Sequence, residues 1–276
     1  MNNFKPMHLI NKNTGRVGAG SWDAFPIEML PQVIEQAKEW KEVLNGIERP
    51  WLCWAVQDEL CQIQQKLVMK VGWTPVVGND TNVKPEILPG SIYIDFNSLF
   101  QFDHMRSYFP LEFVYLFSDK MAFWHSDFLM SYKDMKACAD TFDNLSDSQM
   151  AMVWNRGRLF GLRDRHANKW YAVVGCTTKS ASKQQFELGC GFWRHTDKHP
   201  NFIPSDYKKK PHYDHEIGIT NWQKKYGGKI IRIRPSMYGH MTSRECKHIF
   251  SKEEDLTKNF NFRTICDELK ITDIIE

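Results

Sequence analysis

Three short stretches of this 276-residue chain gather side chains that bind metals and move protons. The first is His125-Ser126-Asp127, which ends the apolar run Met121-Ala122-Phe123-Trp124 just before apolar residues resume at Phe128. Such a run reads as a buried strand, and in open α/β sheets ligands gather at the carboxyl ends of strands. A partly buried carboxylate there needs a cation or hydrogen bonds, because an unpaired buried charge is costly. Asp127 therefore suits a cation site; it equally suits a strand-end turn in which it caps the following helix. The second stretch, Asp214-His215-Glu216, offers two acids, a residue type that favours the first turn of a helix. The third is His240 behind Gly239.

Two further groups carry charge or metal-binding chemistry. His195 and His199, with His212 and His215 and the nearby Asp197 and Asp214, have spacings that zinc could use. Against a zinc hydrolase, Pro200 and Pro211 break the helices that would fix such ligands, and no H-E-x-x-H occurs. Between Arg156 and Lys169 stand Arg158, Arg163, Arg165 and His166, a basic stretch able to track phosphates. It supports a non-enzymatic nucleic-acid-binding module, although no DNA-binding motif surrounds it. A solvated loop is the plainer reading of the same charges.

Several classes lose their main support. Neither G-x-G-x-x-G nor G-x-x-x-x-G-K-[ST] occurs, which removes the usual cradles of dinucleotides and of P-loop phosphates. The serine-hydrolase elbow G-x-S-x-G is missing too. Seven cysteines, an odd number never spaced as C-x-x-C, argue for reduced thiols rather than a disulfide framework or zinc ribbon. The longest unbroken apolar run, Trp51–Val56, is far short of the ~20 residues that span a bilayer. The first ten residues lack the long apolar stretch of a signal segment, so a cytoplasmic location is expected. A net charge of +3 is compatible with an anionic ligand but too weak to indicate nucleic acid by itself. Ten tryptophans could serve stacking surfaces or a tryptophan-rich core.

The elements that must position these residues follow from periodicity. Apolar positions predict helices over Ile27–Leu44, Glu59–Val71, Lys133–Phe142 and Asp214–Tyr226. A further helix over Ser182–Leu188 would be capped by Ser182. Short β-branched or aromatic runs predict strands at Trp51–Val56, Thr74–Val77, Ser91–Phe96, Met150–Trp154, Trp170–Cys176 and Lys229–Arg234, and a possible one at His8–Ile10. Phe113–His125 reads as one strand or a pair, and the tail beyond Lys252 as a docked helix with a frayed end. Strands alternating with helices predict a single α/β domain with a largely parallel central sheet flanked by helices.

The segment through His125-Ser126-Asp127 resembles the D-x-D region of GT-A-fold, nucleotide-sugar-dependent glycosyltransferases, with His125 standing where the first acid usually stands. Gly189–Asn201 is similar to that family's acceptor-side region, and Asp214-His215-Glu216 and His240 follow in the family's chain order. The resemblance covers residues 49–245 and implies a GT-A-like, Rossmann-related mixed sheet. It divides the chain into an N-terminal segment (1–48) with one helix, a donor-binding half (49–130), an acceptor-binding half (131–250) and a tail (251–276). It implies that Asp127, His125 and His240 hold a divalent metal, Mn²⁺ or Mg²⁺, which suits imidazole as well as carboxylate in the case of Mn²⁺. Asp127, Arg156 and Arg158 would then meet the phosphates of a UDP-sugar donor, Trp193, Arg194 and His195 the acceptor, and Asp214 or Glu216 would act as general base. The acceptor hydroxyl would belong to a saccharide or to a hydroxymethylated base in DNA.

Overall fold

In the computed structural model the described residues are 29–79, 85–98, 107–155, 169–193, 199–203, 215–241 and 262–276. Their core is one seven-stranded sheet of order β3-β2-β1-β4-β6-β5-β7. The strands are β1 (Pro50–Ala55), β2 (Thr74–Asn79), β3 (Ile92–Tyr93), β4 (Lys120–Trp124), β5 (Gln149–Asn155), β6 (Lys169–Thr178) and β7 (Lys229–Ile233). Neighbours run parallel except where β6 meets β4 and β5. The α/β expectation therefore holds, with a mixed, mostly parallel sheet. Reversing β6 leaves the carboxyl ends of β1, β4, β5 and β7 on one edge, beside the amino end of β6.

Side chains alternate between two apolar layers, as the pleat requires. Trp51, Cys53 and Ala55 of β1 face one layer, and Leu52 and Trp54 the other. The first layer is closed by α2 (Asp58–Lys70), α5 (Tyr132–Asp143) and the short α8 (Phe262–Glu268). The second is closed by α1 (Leu30–Val43), α3 (Tyr108–Glu112), α4 (Val114–Phe117), α6 (Lys179–Glu187) and α7 (His215–Tyr226). With both faces covered, β1 is buried throughout, the near-continuous apolar pattern of a central parallel strand. The tryptophans go into these layers: Trp40, Trp51, Trp54, Trp73, Trp124, Trp170, Trp193 and Trp222 are all buried. Trp51 sits between the rings of Trp73, Trp124 and Phe142.

Local chemistry sets the element ends. Gln57 caps α2 by accepting from Leu60 N at 2.6 Å, with Asp58 and Glu59 in the positive first turn. Gly72, at φ +78°, closes the turn out of that helix. Ser131 caps α5 by accepting from Asp134 N.

Four expectations change. The first half of Phe113–His125 is helical: α4 occupies Val114–Phe117, and only Lys120–Trp124 is strand. A short apolar run has the same pattern in either conformation. Helix α6 starts at Lys179, so Ser182 lies inside it, buried, and accepts from Tyr115 N rather than capping. The strand expected at Ser91–Phe96 shrinks to the two residues of β3. The tail forms two short helices, α8 and α9 (Thr272–Ile275), the second tied to α2 where Lys66 Nζ donates to the Ile275 carbonyl. The possible strand at His8–Ile10 lies outside the described residues.

Burial also decides the thiols. It pushes Cys61 and Cys138 up to about 12 and raises Cys53 and Cys176 well above the ordinary thiol value. A raised value means less thiolate at a given pH, and the thiolate is the nucleophile. Alkylation with iodoacetamide at pH 8, mapped by mass spectrometry, is expected to leave these four unmodified in the folded protein and to label all four in urea.

Candidate metal centre

Strand β4 delivers His125 to the sheet edge, where His125 N makes a last sheet bond to Val173 O at 2.8 Å. The chain then turns: Phe128 N donates to His125 O. Gln64, fully buried on α2, donates its side-chain amide to both His125 O and Phe128 O at 2.9 Å, so one side chain staples the turn. Helix α5 is capped by Ser131, which leaves Asp127 out of the capping role its position also allowed.

His240 arrives from the other end of the sheet. The loop after β7 is pinned where Ser236 N donates to Asp134 Oδ2 at the start of α5. It is then sewn to the β4 turn by two backbone bonds, Leu129 N to Gly239 O at 3.0 Å and Met241 N to Asp127 O at 2.9 Å. Gly239 is needed for this approach because a Cβ there would overlap the Leu129 carbonyl oxygen.

The result is a triangle of donor atoms. His125 Nδ1 lies 3.2 Å from His240 Nε2, His240 Nε2 lies 3.3 Å from Asp127 Oδ1, and His125 Nδ1 lies 3.7 Å from the same oxygen. An ion about 2.1 Å from each donor separates them by about 3.0 Å in an octahedron and about 3.4 Å in a tetrahedron, so the donor set fits one divalent ion. Side-chain exposure is 3% for His240, 14% for Asp127 and 21% for His125, so the inner histidine is desolvated while the other two face outward. Each imidazole is held by a tyrosine on its far nitrogen. Tyr108 OH is 2.8 Å from His125 Nε2, and Tyr171 OH is 3.4 Å from His240 Nδ1. Phe192 stacks on the Tyr108 ring at 6.3 Å.

The other expected site residues are placed differently. Glu216 is buried in α7; its Oε1 accepts from Ala172 N at 3.0 Å and its Oε2 meets Lys169 Nζ at 2.8 Å. Both oxygens thus anchor α7 to β6. Lys169, read as part of a phosphate-tracking stretch, is buried in that pair. Trp193, expected at the acceptor, packs in the core against Phe113 and His199. Trp222 is in the same core. His199 is buried too; Nε2 lies 3.2 Å from Glu112 Oε1, and Nδ1 accepts from Asn201 N. Arg156, Arg158, Arg194, His195, His212 and Asp214 lie outside the described residues.

Tyr108, Tyr171, Gln64 and Glu112 were missed by sequence reasoning. Tyr171 carried one usable signal, its place at the amino end of a strand neighbouring β4; the other three are joined to their partners only through the fold.

Two substitutions probe this construction. Glu216→Gln removes the negative charge that faces the buried Lys169 ammonium and is expected to cost about 3 kcal/mol in urea denaturation. Gly239→Ala should keep the fold but push the His240 loop off the β4 turn, weakening Co²⁺ binding by calorimetry about tenfold or more. Comparison with protein-family models finds no match for this chain, and comparison with curated proteins finds none either.

Proposed function

We propose that this chain is a metal-dependent glycosyltransferase of GT-A type that moves a sugar from a nucleotide-sugar, a UDP-sugar in the first instance, to a hydroxyl acceptor. The observation that carries the reading is the His125–Asp127–His240 triangle at the carboxyl end of β4. Its place in the sheet adds support. From β1 the chain builds outward through β2 and β3 on one side, then returns to add β4 on the other. The crevice between β1 and β4 is thus a topological switch point, the usual ligand position in an open α/β sheet. The mixed, mostly parallel sheet is also what the resemblance implies.

Within this reading Asp127, His125 and His240 hold the ion, and the turn stapled by Gln64 keeps their spacing. When bound, the ion would neutralise charge developing on the nucleoside diphosphate leaving group. Asp214 rather than Glu216 is the acid proposed as general base, because both Glu216 oxygens are committed to Lys169 and Ala172. Arg156, Arg158, Arg194 and His195 keep their proposed donor and acceptor roles. The acceptor is proposed as a saccharide or a hydroxymethylated DNA base.

A second reading has one observation in its favour. Three protein ligands with room for a water also make up a catalytic zinc site, so a hydrolase would use this same triangle rather than the His195/His199/His212/His215 group.

Calorimetric titration with UDP, with and without Mn²⁺, tests the proposal. Wild type should bind UDP only with the ion present, and Asp127→Asn should weaken that binding about tenfold or more. Wild type that ignores UDP in the presence of Mn²⁺ overturns the UDP-donor reading.

A further inference from the structure

The donor set and its surroundings bear on which ion the centre takes. A pair of acids offers only hard oxygen donors, which suit Mg²⁺ and Mn²⁺ alike. Here two of the three inward-facing donors are imidazole nitrogens. Mg²⁺ is hard, sheds its waters reluctantly and prefers oxygen. Imidazole suits Fe²⁺, Co²⁺, Ni²⁺ and Zn²⁺, whose affinity for a given nitrogen site rises along the first row.

The tyrosines sharpen this preference. A metal-binding imidazole must be neutral, with its lone pair on the nitrogen facing the ion and its proton on the other. The two histidines use different nitrogens, Nδ1 in His125 and Nε2 in His240. Left alone, each ring could adopt either tautomer. A hydroxyl oxygen 2.8 Å from His125 Nε2 can accept an N–H there, and in that tautomer the Nδ1 lone pair points into the triangle. Tyr171 can do the same for His240 Nδ1 at 3.4 Å. Both tyrosines are themselves held, Tyr108 by the stacked Phe192 and Tyr171 by its place on β6. Outer-shell acceptors of this kind also raise the basicity of the ligating nitrogen, which favours ions that bond well to nitrogen.

We propose that this tyrosine-anchored centre of two histidines and one aspartate selects a late first-row transition ion, of the Fe²⁺, Co²⁺ or Zn²⁺ class, over Mg²⁺, with Tyr108 as the positioning residue that sets the His125 tautomer. The inference rests on the metal role given to the cluster above and specifies its cofactor. Mn²⁺, lowest of the series, falls between the two groups.

The test is calorimetric titration of untagged full-length protein with Mg²⁺, Mn²⁺, Co²⁺ and Zn²⁺ separately, followed by the visible spectrum of the Co²⁺ form. Wild type is expected to bind one Co²⁺ or Zn²⁺ about a hundredfold or more tighter than Mg²⁺. Tyr108→Phe, which keeps the stacked ring, should lose about tenfold in Co²⁺ affinity and shift the Co²⁺ bands, a change that a purely structural role would not produce. His125→Asp, which restores the acid pair, should narrow the gap between Co²⁺ and Mg²⁺.

Mg²⁺ bound within tenfold of Co²⁺ by wild type overturns the selectivity, whether or not the variants fold, and leaves the UDP-based transferase reading standing. Stoichiometric Co²⁺ binding that survives His240→Gln places the ion elsewhere and overturns it as well. Selective Co²⁺ binding in a protein that never binds UDP upholds the centre and removes the UDP-donor reading.

Discussion

The candidate centre depends on one backbone stitch, the pair of hydrogen bonds that joins the turn after β4 to the loop after β7. His125 and His240 are 115 residues apart, and their strands are not neighbours. Strand β7 lies three places from β4, a distance of about 14 Å at the usual strand spacing. The loop from Ile233 to His240 can reach about 24 Å fully extended, so it crosses with slack taken up by a turn in which His240 N donates to Met237 O. The reversal of β6 makes this crossing short. It keeps β5 and β7 running in the same direction as β4, so all three release their chains at the same edge. A change that lifted the His240 loop would dissolve the triangle while sparing both apolar layers.

The polar groups beneath the site are arranged to hold carbonyls rather than to bind ligand. Gln64 donates to two carbonyl oxygens of the β4 turn, and its own side-chain oxygen is buried with no partner among the described residues. Leaving an acceptor unmet costs about 1–3 kcal/mol. An apolar residue would avoid that cost but would free the turn that sets the spacing of His125 and Asp127. The Lys169–Glu216 pair follows a similar logic on the opposite side of the sheet. A buried ion pair is a weak source of net stability, yet it is strict about geometry. Here it fixes where α7 begins relative to the strand that carries Tyr171.

Much of the framework was legible because its periodicities are unambiguous. The unbroken apolar run of β1, the amphipathic α5 and the apolar runs of β5 and β6 each have one reasonable conformation. Asp127 stood out because it closely follows a strand, and strand ends form the edge where ligands gather; His240 stood out only through its place in the chain order of the family resemblance. Helices α3 and α4 were illegible for a physical reason: runs of five and four residues, mostly apolar, are too short to show a helical period. Trp193 misled in another way. A tryptophan beside arginine and histidine looks like a stacking platform, yet its neighbours in space are Phe113 and His199. Tyr108 precedes His125 by 17 residues with no motif between them, and only the fold brings its hydroxyl to the ring.

A proton count relates the proposed metal triangle to an ordinary hydrogen-bonded cluster. If both tyrosines accept the outer N–H groups of the histidines, the three inward atoms are all lone-pair acceptors within 3.7 Å of one another, an arrangement that a cation between them would favour. If His240 instead keeps its proton on Nε2, that N–H can donate to Asp127 Oδ1 at 3.3 Å, and Nδ1 becomes an acceptor facing Tyr171. A tyrosine hydroxyl can donate as readily as it accepts, so Tyr171 supports both arrangements, and its 3.4 Å contact is looser than the 2.8 Å contact of Tyr108. The shorter contact ties the His125 ring more closely to its tyrosine than the His240 ring is tied to its own. In the second arrangement the proton on His240 Nε2 stands where the proposed ion would stand in the first, so the two states of the triangle differ by where that one proton is held.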